Sequence, residues 1–142
     1  MRREEITGPQ VLVEQVSRSP RPASRSWLVV WNIRNMGQEL LQIIAGRLPH
    51  SQFRAEERNM RPGLVVLPGQ TARFEFEVAC DEVSGTVVEN AFLILRVQWL
   101  SESWRILARL RVIFDEEGGP QTTTERVTAQ RIGFSIAKTQ SE

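Results

Sequence analysis

Residues 104–114, WRILARLRVIF, place an apolar residue at every second position and set Arg105, Arg109 and Arg111 between them. That period of two is the signature of a β-strand with one buried face. The preceding run, AFLILRVQW at 91–99, alternates in the same way, and LSES between them reads as a four-residue hairpin loop. Pairing Trp99 with Trp104 then opposes Val97 to Ile106, Leu95 to Ala108, Leu93 to Leu110 and Ala91 to Val112, so that one face is apolar throughout. A slip of one residue would turn arginines into that face. The other face carries Phe92, Ile94, Arg96, Arg105, Leu107, Arg109, Arg111 and Ile113.

The same patterning runs along the rest of the chain. QVLVEQVS at 10–17 reads as a first strand, and SRSPRPASRS at 17–26 as a loop, because Pro20 and Pro22 cannot donate to a ladder. In SWLVVWNIRN, Trp27, Val29, Trp31 and Ile33 share one face and Leu28 and Val30 the other, until Asn35-Met36-Gly37 makes a turn. ELLQIIAGRLPH, 39–50, fits either a helix or a strand; Gly46 and Pro49 favour the strand. QFRAEERNMRPG, 52–63, is polar with poor periodicity, and a short apolar run at 64–67 ends in Pro68-Gly69. TARFEFEVAC puts Ala72, Phe74, Phe76, Val78 and Cys80 inward, with Arg73, Glu75 and Glu77 outward, where the two glutamates can pair with arginines across the sheet. Residues 116–125 read as a loop, 126–135 as a last edge strand, and 1–9 and 137–142 as disordered tails. Short strands separated by turn signals, with no long helix, predict one all-β domain over 1–142: an immunoglobulin-like antiparallel β-sandwich of seven to eight strands.

Two stretches carry a resemblance. WNIRNMGQ, an alternating strand ending in Asn-x-Gly, and LPGQTARFEFEV, a Pro-Gly turn feeding another, are similar to the immunoglobulin-like bacterial domains of the CARDB type over residues 10–114. The resemblance implies an adhesion, spacer or partner-binding module without catalytic residues. In the usual setting such domains accompany an enzyme domain or an export signal, and the expectation from this sequence is a module that stands alone.

Composition narrows the chemistry. With Lys+Arg 18 against Asp+Glu 17, a formal net charge of +1 supplies no global field for a polyanion, so nucleic acid is not the expected partner. Lys138 is the sole lysine, and the arginines suit contacts with carboxylates or rings. No run approaches the roughly 20 apolar residues of a membrane span, and no export signal is visible, so the default expectation is a cytoplasmic location without membrane contact. Cys80 is the single cysteine and falls on an apolar strand face, which predicts a core thiol without a disulfide. His50 is the single histidine, which leaves no two-histidine metal site. Gly118-Gly119-Pro120 lacks the lysine and helix of a phosphate loop. Asp115, Glu116 and Glu117 are the candidate acidic cation site. The four tryptophans are in phase with aliphatic neighbours and read as core, Trp104 beside its loop being the candidate exception.

These features predict a non-enzymatic interaction module with no cofactor, no metal and no catalytic residues; the alternative is a small-ligand-binding protein or minor hydrolase whose site is not evident. The outward hairpin face, with Phe92, Ile94, Leu107 and Ile113 among four arginines, is the expected partner surface, because interfaces favour that mixture. The partner is a protein, most simply a second copy of the chain. The competing expectation is that 126–136 or 52–67 folds back over the face.

Overall fold

The computed structural model describes residues 8–21 and 25–132. Eight strands follow in order: β1 Val11–Arg21, β2 Ser26–Asn35, β3 Leu41–His50, β4 Phe53–Val66, β5 Thr71–Ala79, β6 Val87–Trp99, β7 Glu102–Phe114 and β8 Pro120–Arg131. All neighbours are antiparallel, in the order β1-β2-β5-β4-β3-β6-β7-β8. The all-β antiparallel class and the strand number are those expected from the alternation. The strands form one continuous sheet, curled nearly into a barrel, in place of the two separate sheets expected of a sandwich; its thinnest join is the single β4–β5 bridge, Arg54 to Ala79.

Several boundaries differ from the sequence reading. Pro20 does not end β1: it pairs with Trp27 on an edge strand, where a missing N–H breaks no ladder. The polar stretch after His50 is the front of a 14-residue β4 that continues through the apolar run to Val66. The last strand begins at Pro120, not at 126, and the loop shrinks to 115–119. The expected tails, 1–9 and 137–142, lie outside the described residues except for Gly8 and Pro9, and so does the end of the expected last strand, 133–135.

The core is made by the inward faces of all eight strands. Trp31 meets Phe53 and Phe76 edge-on, with ring centroids 6.1 and 6.0 Å apart, while Phe74 and Phe76 stack at 4.9 Å. These rings join β2, β4 and β5 where backbone pairing is thin. Gly46 is required here, since a Cβ at that position would lie 3.0 Å from both Phe74 and Leu95. Of the tryptophans, Trp31 and Trp104 are buried, whereas Trp27 and Trp99 are the partly exposed pair. Trp104 is therefore not the exception; Trp99 packs edge-on against it at 5.6 Å.

The two turn motifs singled out in the sequence form one unit. Buried Asn35 donates its Nδ2 to the carbonyls of Glu39 and Val66, accepts the Gly37 N–H on Oδ1, and exchanges backbone bonds with Gln70 and Gly69. Its carboxamide thus ties the β2–β3 turn to the Pro68-Gly69 turn, which satisfies a polar group that burial would otherwise penalise.

No backbone ladder joins β1 to β8; side chains span the seam instead. The Gln15 carboxamide donates to the Pro120 carbonyl at 3.0 Å and accepts the Thr122 N–H at 2.7 Å, standing in for a peptide group of a neighbouring strand. Arg18 lies over the Trp27 ring at 5.7 Å and pairs with Asp115 and, at 3.4 Å, with Glu117. Asp115 also accepts the N–H groups of Glu117 and Gly119 and so shapes the loop that Arg18 grips.

Candidate partner-binding face

The hairpin that carries the predicted surface has a shorter turn and a different register from those expected. Trp99 pairs with Glu102, Val97 with Trp104, Leu95 with Ile106, Leu93 with Ala108 and Ala91 with Leu110. The connection is the two residues Leu100 and Ser101, with φ of 50° and 64°. Positive φ at both central positions is the type I′ turn, whose twist matches the flanking strands. The shift is two residues, which leaves every side chain on its predicted face; alternation with period two distinguishes odd slips from even ones and nothing finer.

All eight predicted residues consequently share the outward face. Phe92 lies opposite Arg109, Ile94 opposite Leu107, and Arg96 opposite Arg105. Phe92, Ile94 and Leu107 are half-buried, and Ile113 is exposed further along. The arginines answer to glutamates on neighbouring segments: Arg96 to Glu57 of β4 at 3.0 Å, Arg111 to Glu89 at 3.0 Å, and Arg109 to Glu125 of β8 at 3.6 Å. Side chains in these pairs are one-third to about one-half exposed, so each is worth a fraction of a kcal/mol. Neither segment expected to fold back does so over the described residues: β4 pairs with β3, and β8 lies beside β7 in the sheet. The face is extended by β8 and left uncovered by the described chain.

The face also holds residues that alternation did not place there. A bulge between Ile43 and Ala45 reverses the phase of β3, so Gly46 and Leu48 turn inward while Ala45 and Arg47 pair outward with Arg96 and Ile94. Continued alternation from Leu41 and Ile43 would have put Arg47 in the core. Together these residues form a polar hollow of about 370 Å³ between β3, β4, β6 and β7, floored by Ala45 and Ile94 and edged by Arg47, Arg96 and Arg105. Glu56 and Glu57 complete its rim.

Other candidate chemistry lies elsewhere. His50 accepts the Gln52 N–H on Nδ1 at 3.0 Å and closes the β3–β4 turn. Burial pushes the Cys80 thiol up to about 12, with the charges of Glu82 and Asp81 adding to it, so it is protonated at neutral pH and a poor nucleophile. Partial burial acts to raise Asp115, but the Arg18 guanidinium, the Gly119 N–H, Gln121 and the Glu117 N–H outweigh it and hold the carboxyl at about 2. Asp115 therefore works as a clasp for Arg18; among the described residues no group of acids, histidines and cysteine is arranged to hold a metal. Glu77 accepts a hydrogen bond from Ser26 at 2.9 Å, and the backbone carbonyl of Glu75 takes the Arg58 guanidinium; among the described residues neither carboxylate is paired with an arginine. No helix among the described residues is long and apolar enough to cross a membrane.

No family model matches the chain, and no curated protein matches it in sequence.

Proposed function

We propose that the chain is a non-catalytic protein-binding module of immunoglobulin-like type that meets its partner through the outward face of β6 and β7. The observation that carries this reading is the half-buried cluster of Phe92, Ile94 and Leu107, set among Arg–Glu pairs on a sheet face that no segment among the described residues covers. An apolar centre inside a polar, arginine-rich rim is the anatomy of a protein interface. The strand order supports the module type: β1-β2-β5 and, beyond the single β4–β5 bridge, β4-β3-β6-β7 run in the order A-B-E and C′-C-F-G of immunoglobulin-like domains, with β8 added beside β7. Nucleic acid is the weaker partner, because phosphates would compete with the glutamates already on Arg96, Arg109 and Arg111.

The simplest partner is a second copy, since a two-fold axis presents the same patch to itself. Light scattering after size exclusion tests this form of the proposal. The expected result is a dimer, with Ile94→Glu giving a monomer of unchanged circular dichroism. A wild-type chain that stays monomeric at millimolar concentration overturns self-pairing.

A further inference from the structure

The hollow between β3 and β7 has more cationic groups than its own acids engage. Arg96 stands directly opposite Arg105 across the β6–β7 ladder, a juxtaposition of like charges that costs stability unless something offsets it. Glu57 reaches Arg96 at 3.0 Å, and Glu56 is taken by Arg54. Arg47 and Arg105 have no carboxylate partner among the described residues, and both border the same hollow. Ala45, fully buried beneath Arg96, is small enough to leave the recess open.

We infer that this hollow seats the carboxylate of an acidic side chain from the protein that lies on the face, with Arg105 and Arg47 as its cationic walls. Guanidinium forks suit a carboxylate in two-point geometry, and charge-assisted bonds of this kind are the strong ones. The surroundings favour an anion borne by a peptide over a free one. From Arg96 and Arg105, one two-residue step along the ladder leads to the apolar pair Ile94 and Leu107. Side chains two apart on an extended strand lie roughly 7 Å from one another on one face. A segment of pattern acidic-x-apolar, laid along β6, would therefore put its carboxylate in the hollow and its apolar side chain on Ile94 and Leu107. This inference rests on the face being a protein-binding surface, and it adds the chemistry of the partner.

The test uses the full ¹⁵N-labelled chain below any association concentration, titrated with the peptide acetyl-Thr-Glu-Thr-Val-Thr-Val-amide, with its Gln-for-Glu counterpart, and with sodium phosphate at matched ionic strength. The Nε–Hε resonances of Arg47 and Arg105 are followed. The Glu peptide should shift them saturably, and both the Gln peptide and Arg105→Gln should weaken binding roughly tenfold or more, while Arg126→Gln, on the same face but away from the hollow, leaves it unchanged. Equal affinity for the two peptides, no binding, or shifts spread evenly over all arginines overturns the inference. Phosphate binding more tightly than the Glu peptide overturns the peptide source and leaves a free-anion site. Because dimerisation is measured separately, a monomeric chain that binds the peptide defeats self-pairing alone, and a dimer that ignores the peptide defeats this inference alone.

Discussion

The two faces of the β6–β7 hairpin obey different rules although they alternate residue by residue. Leu93, Leu95, Ile106, Ala108 and Leu110 are fully removed from solvent on the inner face. On the outer face Arg96, Arg109 and Arg111 keep two-fifths or more of their side chains exposed, and Phe92, Ile94 and Leu107 are only half-buried. Burial of apolar area stabilises by roughly 25 cal/mol per Å², whereas an exposed ion pair contributes at most about 1 kcal/mol. The inner face therefore holds the fold, and the outer face is free to be specified by what it meets.

The most forceful way to break that contrast is to truncate neighbouring residues on opposite faces. Leu95→Ala removes side-chain volume where Gly46, Phe74 and Phe76 already crowd together, and a cost of about 2–5 kcal/mol is expected from lost burial plus the cavity left behind. Ile94→Ala, one residue away, should change stability by less than about 1 kcal/mol. Chemical denaturation of both variants checks the pair, and equal losses would mean that the outer face is part of the core.

The same contrast explains which parts of the molecule were legible. Strands with one buried face announce themselves: β5, β7 and β6 from Ala91 onward alternate in sequence as they do in burial. Legibility fails where the backbone departs from a strict period of two. The bulge at Ile44 moved Arg47 to the outer face, and irregular pairing of β4 hid a 14-residue strand behind polar residues. The eight residues fall on one outward face, as their alternation implies, because an even slip preserves it, while the hollow escaped because its residues come from strands distant in sequence and out of phase. Composition disclosed the arginines; only the fold brings Glu57, Glu89 and Glu125 to three of them.

Between the two faces in strength stands the polar clasp of β1 to the β7–β8 loop. Asp115 has about a quarter of its side chain exposed, and its carboxyl is held at about 2 against an ordinary 3.8. A folded-state value below the unfolded one contributes stability that is present above about 3.8 and lost as pH falls through about 2. Asp115→Asn should therefore lower stability at neutral pH by about 1 kcal/mol, the shift being screened by solvent, and flatten the acid limb of the stability profile. Denaturation midpoints measured down to pH 2 distinguish this from a simple surface effect, for which the limb would keep its slope.

The smallest expected effect concerns the turn that holds the two faces in register. Leu100 and Ser101 occupy left-handed backbone conformations, where an L-residue with a bulky side chain is disfavoured by roughly 1–2 kcal/mol and Asn or Gly is preferred. Leu100 is 55% exposed, so little packing is lost on replacing it. Substituting Asn-Gly for Leu100-Ser101 should raise stability by about 1 kcal/mol without altering the denaturant slope, since the surface exposed on unfolding stays the same. A four-residue loop with Trp99 opposite Trp104 would gain nothing from the same change, because its central residues need no positive φ at these two positions. An unchanged midpoint would thus argue for the other even register, in which both faces keep their residues but Ile94 faces Arg109 and the apolar pair at the centre of the outer surface is broken.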